Sequence, residues 1–92
     1  MKLEQFIWLT KDRGPGKQIV LEFGNDYNLS IINDGYGKDK GLYEIAVFKN
    51  GEFANMSGIT EHDQVNGFLT SDDVDAIITK MYTITGTEPR QI

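Results

Sequence analysis

Residues 42–52, Leu-Tyr-Glu-Ile-Ala-Val-Phe-Lys-Asn-Gly-Glu, decide how this chain is read. Tyr43, Ile45 and Val47 alternate with Leu42, Ala46 and Phe48, so a single strand carries apolar side chains on both faces. Such a strand is expected in the middle of a sheet. Asn50-Gly51 follows it, and a two-residue type I′ turn needs positive φ at both central residues, which Asn and Gly tolerate best. The chain therefore folds back, with Phe53 to Met56 as the returning strand.

Upstream, Lys17 to Phe23 and Tyr27 to Ile32 are both rich in β-branched and aromatic residues, with Ile19, Leu21 and Phe23, then Tyr27, Leu29 and Ile31, able to line one face. Gly24-Asn25-Asp26 joins them with turn chemistry. The segment 33–41, NDGYGKDKG, holds three glycines and four charges and reads as an exposed loop. Downstream, Ser57 to Gln64 is polar, and Val65 to Leu69 forms one more strand, weakened by Gly67. The last element is an amphipathic helix over 71–85. Thr70 caps it with Asp73 at N3, Leu69 and Val74 form a hydrophobic staple, and Gly86 ends it. Val74, Ile77, Ile78, Met81 and either Ile84 or Thr85 make its apolar stripe.

Before the first strand, Leu3, Phe6 and Ile7 fit helical spacing, so a short N-terminal helix is expected within 2–11, with a strand over Phe6 to Leu9 left open. Asp12-Arg13-Gly14-Pro15-Gly16 must interrupt either. The tail from Thr87 to Ile92 is expected to fray. The fold expected is a single α+β domain over 1–92. It has an antiparallel sheet of four to five strands, the C-terminal helix packed on one face, and the short N-terminal helix beside it.

Ninety-two residues suffice for one core. Nine basic against fourteen acidic side chains leave a formal charge of −5, which argues against direct contact with nucleic acid. There is no cysteine, so disulfides, thiolate metal sites and cysteine nucleophiles are absent together. Glu4, Lys11, Asp12 and Arg13 interrupt the N-terminal apolar residues before signal-peptide length, and no uncharged apolar run approaches the roughly 20 residues that cross a bilayer. A cytoplasmic protein without membrane contact is expected.

Few residues invite catalysis. His62 lies between Glu61 and Asp63, but adjacent side chains diverge, and no second histidine or cysteine completes a transition-metal shell. A solvated loop histidine is the plainer reading. Gly14-Pro15-Gly16-Lys17 and Gly35-Tyr36-Gly37-Lys38 pair glycine with lysine, yet neither leads into a helix as a phosphate-binding GxxxxGK[ST] loop does. Asp34 and Asp39 lack the spacing and closing glutamate of a calcium loop. No catalytic residue, metal ligand or cofactor is assigned, and the chain is read as a non-enzyme.

Two surface features remain. From Asn50 to Thr79 there is no Lys or Arg, while Glu52, Glu61, Asp63, Asp72, Asp73 and Asp75 are all acidic. This half suits docking on a basic partner, such as the nucleic-acid groove of an enzyme; a helix-dipole cluster beside a solvated loop is the plain alternative. Removing the charge of Asp75 is expected to leave stability nearly unchanged. The second feature is aromatic. Trp8, Tyr36, Phe53 and Tyr82 exceed what a small core hides, and Tyr36 stands on a loop tip. The partner-binding residues expected are Tyr36, Glu61, Asp63, Asp72 and Asp75.

The strings DGYG, GLYEIAVF-x-NGE and GFLT-x-x-x-V-x-x-II, spread over Asp34 to Ile78, resemble small accessory proteins of tailed bacteriophages. Their motifs are a loop, a hairpin and a capped helix, so no residue role is carried over. The resemblance implies a phage protein acting in the bacterial host cytoplasm on a host protein. The function expected is a small acidic non-enzymatic protein-binding accessory protein. The alternative is a structural or virion-associated protein that self-associates, as a homo-oligomer, through a sheet edge or the second face of the 42–48 strand.

Overall fold

Antiparallel pairing is densest where side-chain alternation is strongest. In the computed structural model, which describes residues 1–11, 14–61 and 63–92, β2 (Lys17–Glu22), β3 (Tyr27–Ile32) and β4 (Tyr43–Lys49) form the centre of one antiparallel sheet. Short strands complete its flanks. β1 (Leu9–Thr10) and β7 (Arg90–Gln91) both pair with β2, at its opposite ends. β5 (Glu52–Phe53) and β6 (Val65–Leu69) divide the far flank of β4 in the same way. Among the described residues seven strands thus occupy five positions, and the two that the sequence reading does not assign are each only two residues long.

The turns follow local chemistry. Asn50 (φ 53°) and Gly51 (φ 80°) both sit left-handed, as a type I′ hairpin requires. The returning strand is shorter than 53–56, although the Ala54 amide still donates to the Val47 carbonyl at 2.8 Å.

Helix α1 (Ser71–Thr85) starts at a reciprocal cap: Thr70 Oγ1 accepts from the Asp73 amide at 3.1 Å and Asp73 Oδ2 accepts from the Thr70 amide at 3.0 Å. Gly86 ends it with φ 69°. Its buried stripe is Val74, Ile77, Ile78 and Met81, while Ile84 is exposed and Thr85 half-buried. This stripe lies over Ile19, Leu21, Leu29, Ile31, Ile45 and Val47, and the core they form also takes in Leu3 of the N-terminal turn and Met56 and Ile59 of the segment before β6. The architecture is α+β, an antiparallel sheet with one C-terminal helix on one face.

One expectation is narrowed at the N-terminus and one corrected at the C-terminus. The short N-terminal helix is a single 3-10 turn at Leu3–Gln5, after which Phe6 is extended and β1 begins. Period-two burial prevails there, because Trp8 packs on the core while Ile7 and Leu9 are exposed. The tail does not fray: Arg90–Gln91 pairs with β2, and the Gln91 side chain exchanges hydrogen bonds with both the amide and the carbonyl of Ile7. Arg90 also pairs with Glu22 at 2.8 Å.

Candidate functional site: an aromatic corner

The loop between β3 and β4 is pinned along its length. Lys11 Nζ lies 2.9 and 3.0 Å from the two Asp34 oxygens, tying the loop to the N-terminal segment. The lysine hydrogen bond, aided by its charge and opposed by desolvation, holds the Asp34 carboxyl below its usual range. The carboxylate fits only because Gly16 has no side chain, since a Cβ there would stand 2.2 Å from Asp34 Cγ. Next along the loop, the Tyr36 amide donates to Glu44 Oε2 at 2.7 Å.

The other side of Tyr36 meets β6. The Phe68 amide donates to the Tyr36 carbonyl at 2.9 Å, at a register shift where β6 pairs with β4. A Cβ on Gly67 would lie 2.5 Å from Tyr36 Cβ, so this approach requires glycine. The bulged backbone places Phe68 at φ 55°, a left-handed conformation that costs a bulky L-residue about 1–2 kcal/mol. The Tyr36 and Phe68 rings stack at 6.5 Å with 16° between their planes. Neither ring is repaid by burial: Tyr36 is 64% exposed and Phe68 60%.

The expected acidic residues do not gather beside this pair as one cluster. Glu61 and Asp63 line a cleft of about 270 Å³ with Gly58 and Asn66; Asp72 and Asp75 line another, of about 380 Å³, against Trp8 and Tyr43. Glu61 Oε1 accepts from the Gly58 amide at 2.7 Å, and Asp63 Oδ1 accepts from the Gln64 amide at 2.7 Å. Asp72 is exposed in the first turn of α1. Asp75 Oδ1 accepts from the Leu3 amide at 2.6 Å and so anchors the N-terminal turn. The side chain therefore has a structural partner that its place in the sequence does not announce. His62 lies outside the described residues.

Of the surplus aromatics, Trp8 stacks on Tyr43 at 5.5 Å between ring centroids, and Phe48 packs on Phe53 on the face away from α1. Phe68 was not legible as Tyr36's companion. The available signal was Gly67 inside a strand pattern, which marks a bulge or a close backbone approach as readily as a weak strand. Among the described residues no three His, Cys, Asp or Glu side chains are grouped to hold a metal ion, and no helix is long and apolar enough to cross a membrane. Compared with protein-family models, with curated proteins and with solved structures, the chain matches none.

Proposed function

We propose that this chain is a small acidic accessory protein, non-enzymatic and phage-encoded, that binds a host protein in the bacterial cytoplasm through the corner formed by Tyr36 and Phe68. The observation that carries the reading is two large rings held in water by a left-handed Phe68, a close-approach Gly67 and a carboxylate on the Tyr36 amide. Rigid, exposed aromatics supply contact area at little entropic cost and dominate interface hot spots. Asp72 and the two acidic clefts add negative charge that steers a basic partner without supplying most of the affinity. The phage setting rests on the sequence resemblance alone.

The test is a parallel capture from bacterial lysate with the wild-type chain and with Phe68→Gly as baits. A partner retained by the first and lost by the second supports the corner; equal retention rejects it. A second reading, self-association, is favoured by a separate observation, the uncovered face of the sheet.

A further inference from the structure

Side chains pointing away from α1 form three rows across the sheet. One row runs Leu9, Gln18, Ile32, Glu44. The middle row runs Val20, Ser30, Ala46, Val65, and Ile92 extends it, since its amide donates to the Val20 carbonyl at 3.0 Å. The third runs Arg90, Glu22, Asn28, Phe48, Phe53. In a chain of charge −5 the middle row carries no charged side chain, Arg90 pairs with Glu22 in the third, and the first row holds one acidic side chain, Glu44. Leu9, Phe53 and Ile92 are exposed large apolar residues. No described helix lies over these rows, although the β3–β4 loop reaches Glu44, where a Cβ on Gly35 would stand 2.8 Å from Glu44 Cβ, and Ser30 and Ala46 in the middle row are buried among their larger neighbours.

We infer that a second copy of this chain covers this face, with the two-fold axis lying along β3. Rotation about that axis keeps each row on itself and reverses the strand order. Ile92 then faces the partner's Val65, Val20 faces the partner's Ala46, and Ser30, Ile32 and Asn28 each face their own copy. Gln18 comes opposite the partner's Glu44, an amide against a carboxylate, and the Arg90–Glu22 ion pair comes over the partner's Phe53 and Phe48, with the cation over an aromatic face. An axis across the strands would instead set Glu44 against Phe48, Gln18 against Glu22 and Arg90 against Leu9, which takes the cation away from both rings. Stacked sheets cross at about −30°, so these are neighbours within a row rather than single contacts.

The area suits a weak pairing. Five strand positions by six residues give a face of roughly 20 by 20 Å, so two faces bury about 800 Å² in projection, below the roughly 1,200 Å² of a stable interface and in the range of a reversible one. The flanks are poorer templates, because three of the four outer strands are two residues long and β6 is broken by its bulge. The aromatic corner borders the first row, because the Tyr36 amide donates to Glu44 Oε2 and Phe68 lies in the β6 bulge beside Glu44, so the pairing is tested at Val20, in the middle row away from that corner.

Light scattering on the intact chain tests the pairing. The expected mass is twice the 10.4 kDa of one chain at about 100 µM, falling on dilution to about 1 µM, as a small interface implies. The mass of one chain throughout overturns the proposal. Val20→Glu should abolish pairing with circular dichroism unchanged, whereas Ile84→Glu on the exposed side of α1 should keep it; a folded Val20→Glu variant that still pairs overturns the proposal. Should Val20→Glu fail to fold, the cysteine-free background supplies another measurement. Asn28→Cys should form a disulfide-linked dimer on oxidation far faster than Ile84→Cys, and equal rates overturn the proposal.

Discussion

Leu29 and Ile31 of β3 are fully buried beneath α1, while Asn28 and Ile32, one residue away on the same strand, face the other side half-exposed. The two faces are made by the same backbone and differ only in what lies over them. On the helix side every row of β2, β3 and β4 closes into apolar contact with Val74, Ile77, Ile78 or Met81 and their neighbours. On the open side the rows mix Val20, Ile32 and Phe48 with Gln18, Asn28 and Glu44. That composition is too polar for a core, and a solvated sheet face and a reversible interface share it. The comparison teaches that the fold takes its stability from one face, and it is the other face that the proposed pairing would use.

The largest expected effect tests that division. Ile78→Ala removes a fully buried side chain and should cost about 2–5 kcal/mol in denaturant unfolding, whereas Val20→Ala on the open face should cost about 1 kcal/mol or less. Equal losses measured on dilute protein would mean that the faces are not energetically distinct. Next in size is Gly67→Ala. Its Cβ would overlap Tyr36, so the loop must shift or β6 must unbulge, at about 1–3 kcal/mol. If the variant is as stable as the wild type, the close approach of loop and strand is not a constraint.

The covered face was readable because its code is local. The alternation of Ile19, Leu21 and Phe23 and the spacing of Val74, Ile77, Ile78 and Met81 each name a surface that must find a partner, and each finds the other. The capping residues Thr70, Asp73 and Gly86 likewise act within one turn. The termini were not readable in this way. Arg90 and Gln91 become a strand only because β2 offers them a vacant flank and because Ile7 receives the Gln91 side chain, and these contacts span most of the chain. The site was half legible. A tyrosine between glycines announces exposure, but Phe68 joins it through a bulge, and nothing in the alternation of Val65 to Leu69 specifies where the bulge falls. The role of Asp75 was hidden for the same reason, since the Leu3 amide it accepts lies 72 residues away in sequence.

A smaller effect concerns the loop that carries Tyr36 at the edge of the open face. The Asp34 carboxyl is held below its usual range by the lysine hydrogen bond, so its folded state binds a proton less readily than its unfolded state. A depressed carboxylate contributes stability that is complete above its unfolded pKa and is lost as pH falls through the folded value. The wild type should therefore lose stability more steeply than Asp34→Asn between about pH 5 and pH 2, both followed by urea unfolding. Parallel curves would show that the Lys11 pair contributes nothing to anchoring the loop.

The smallest expected change in stability comes with the largest expected change in binding, at Phe68. Replacing it with glycine relieves about 1–2 kcal/mol of left-handed strain, and it forfeits about 0.5–1.5 kcal/mol of ring stacking and about 0.5–1 kcal/mol of chain entropy. These terms nearly cancel, so the melting temperature should move by only a few degrees in either direction. Backbone contacts survive, because the amide that donates to Tyr36 is still present. A core residue replaced by glycine would behave in the opposite way, with stability collapsing and binding lost only through unfolding. If the exposed ring is an interface anchor, the Phe68→Gly chain should stay folded and bind the captured partner at least about 30-fold more weakly, the equivalent of about 2 kcal/mol. A marked drop in stability with affinity intact would make Phe68 a structural residue and return the open side of the sheet to pairing alone.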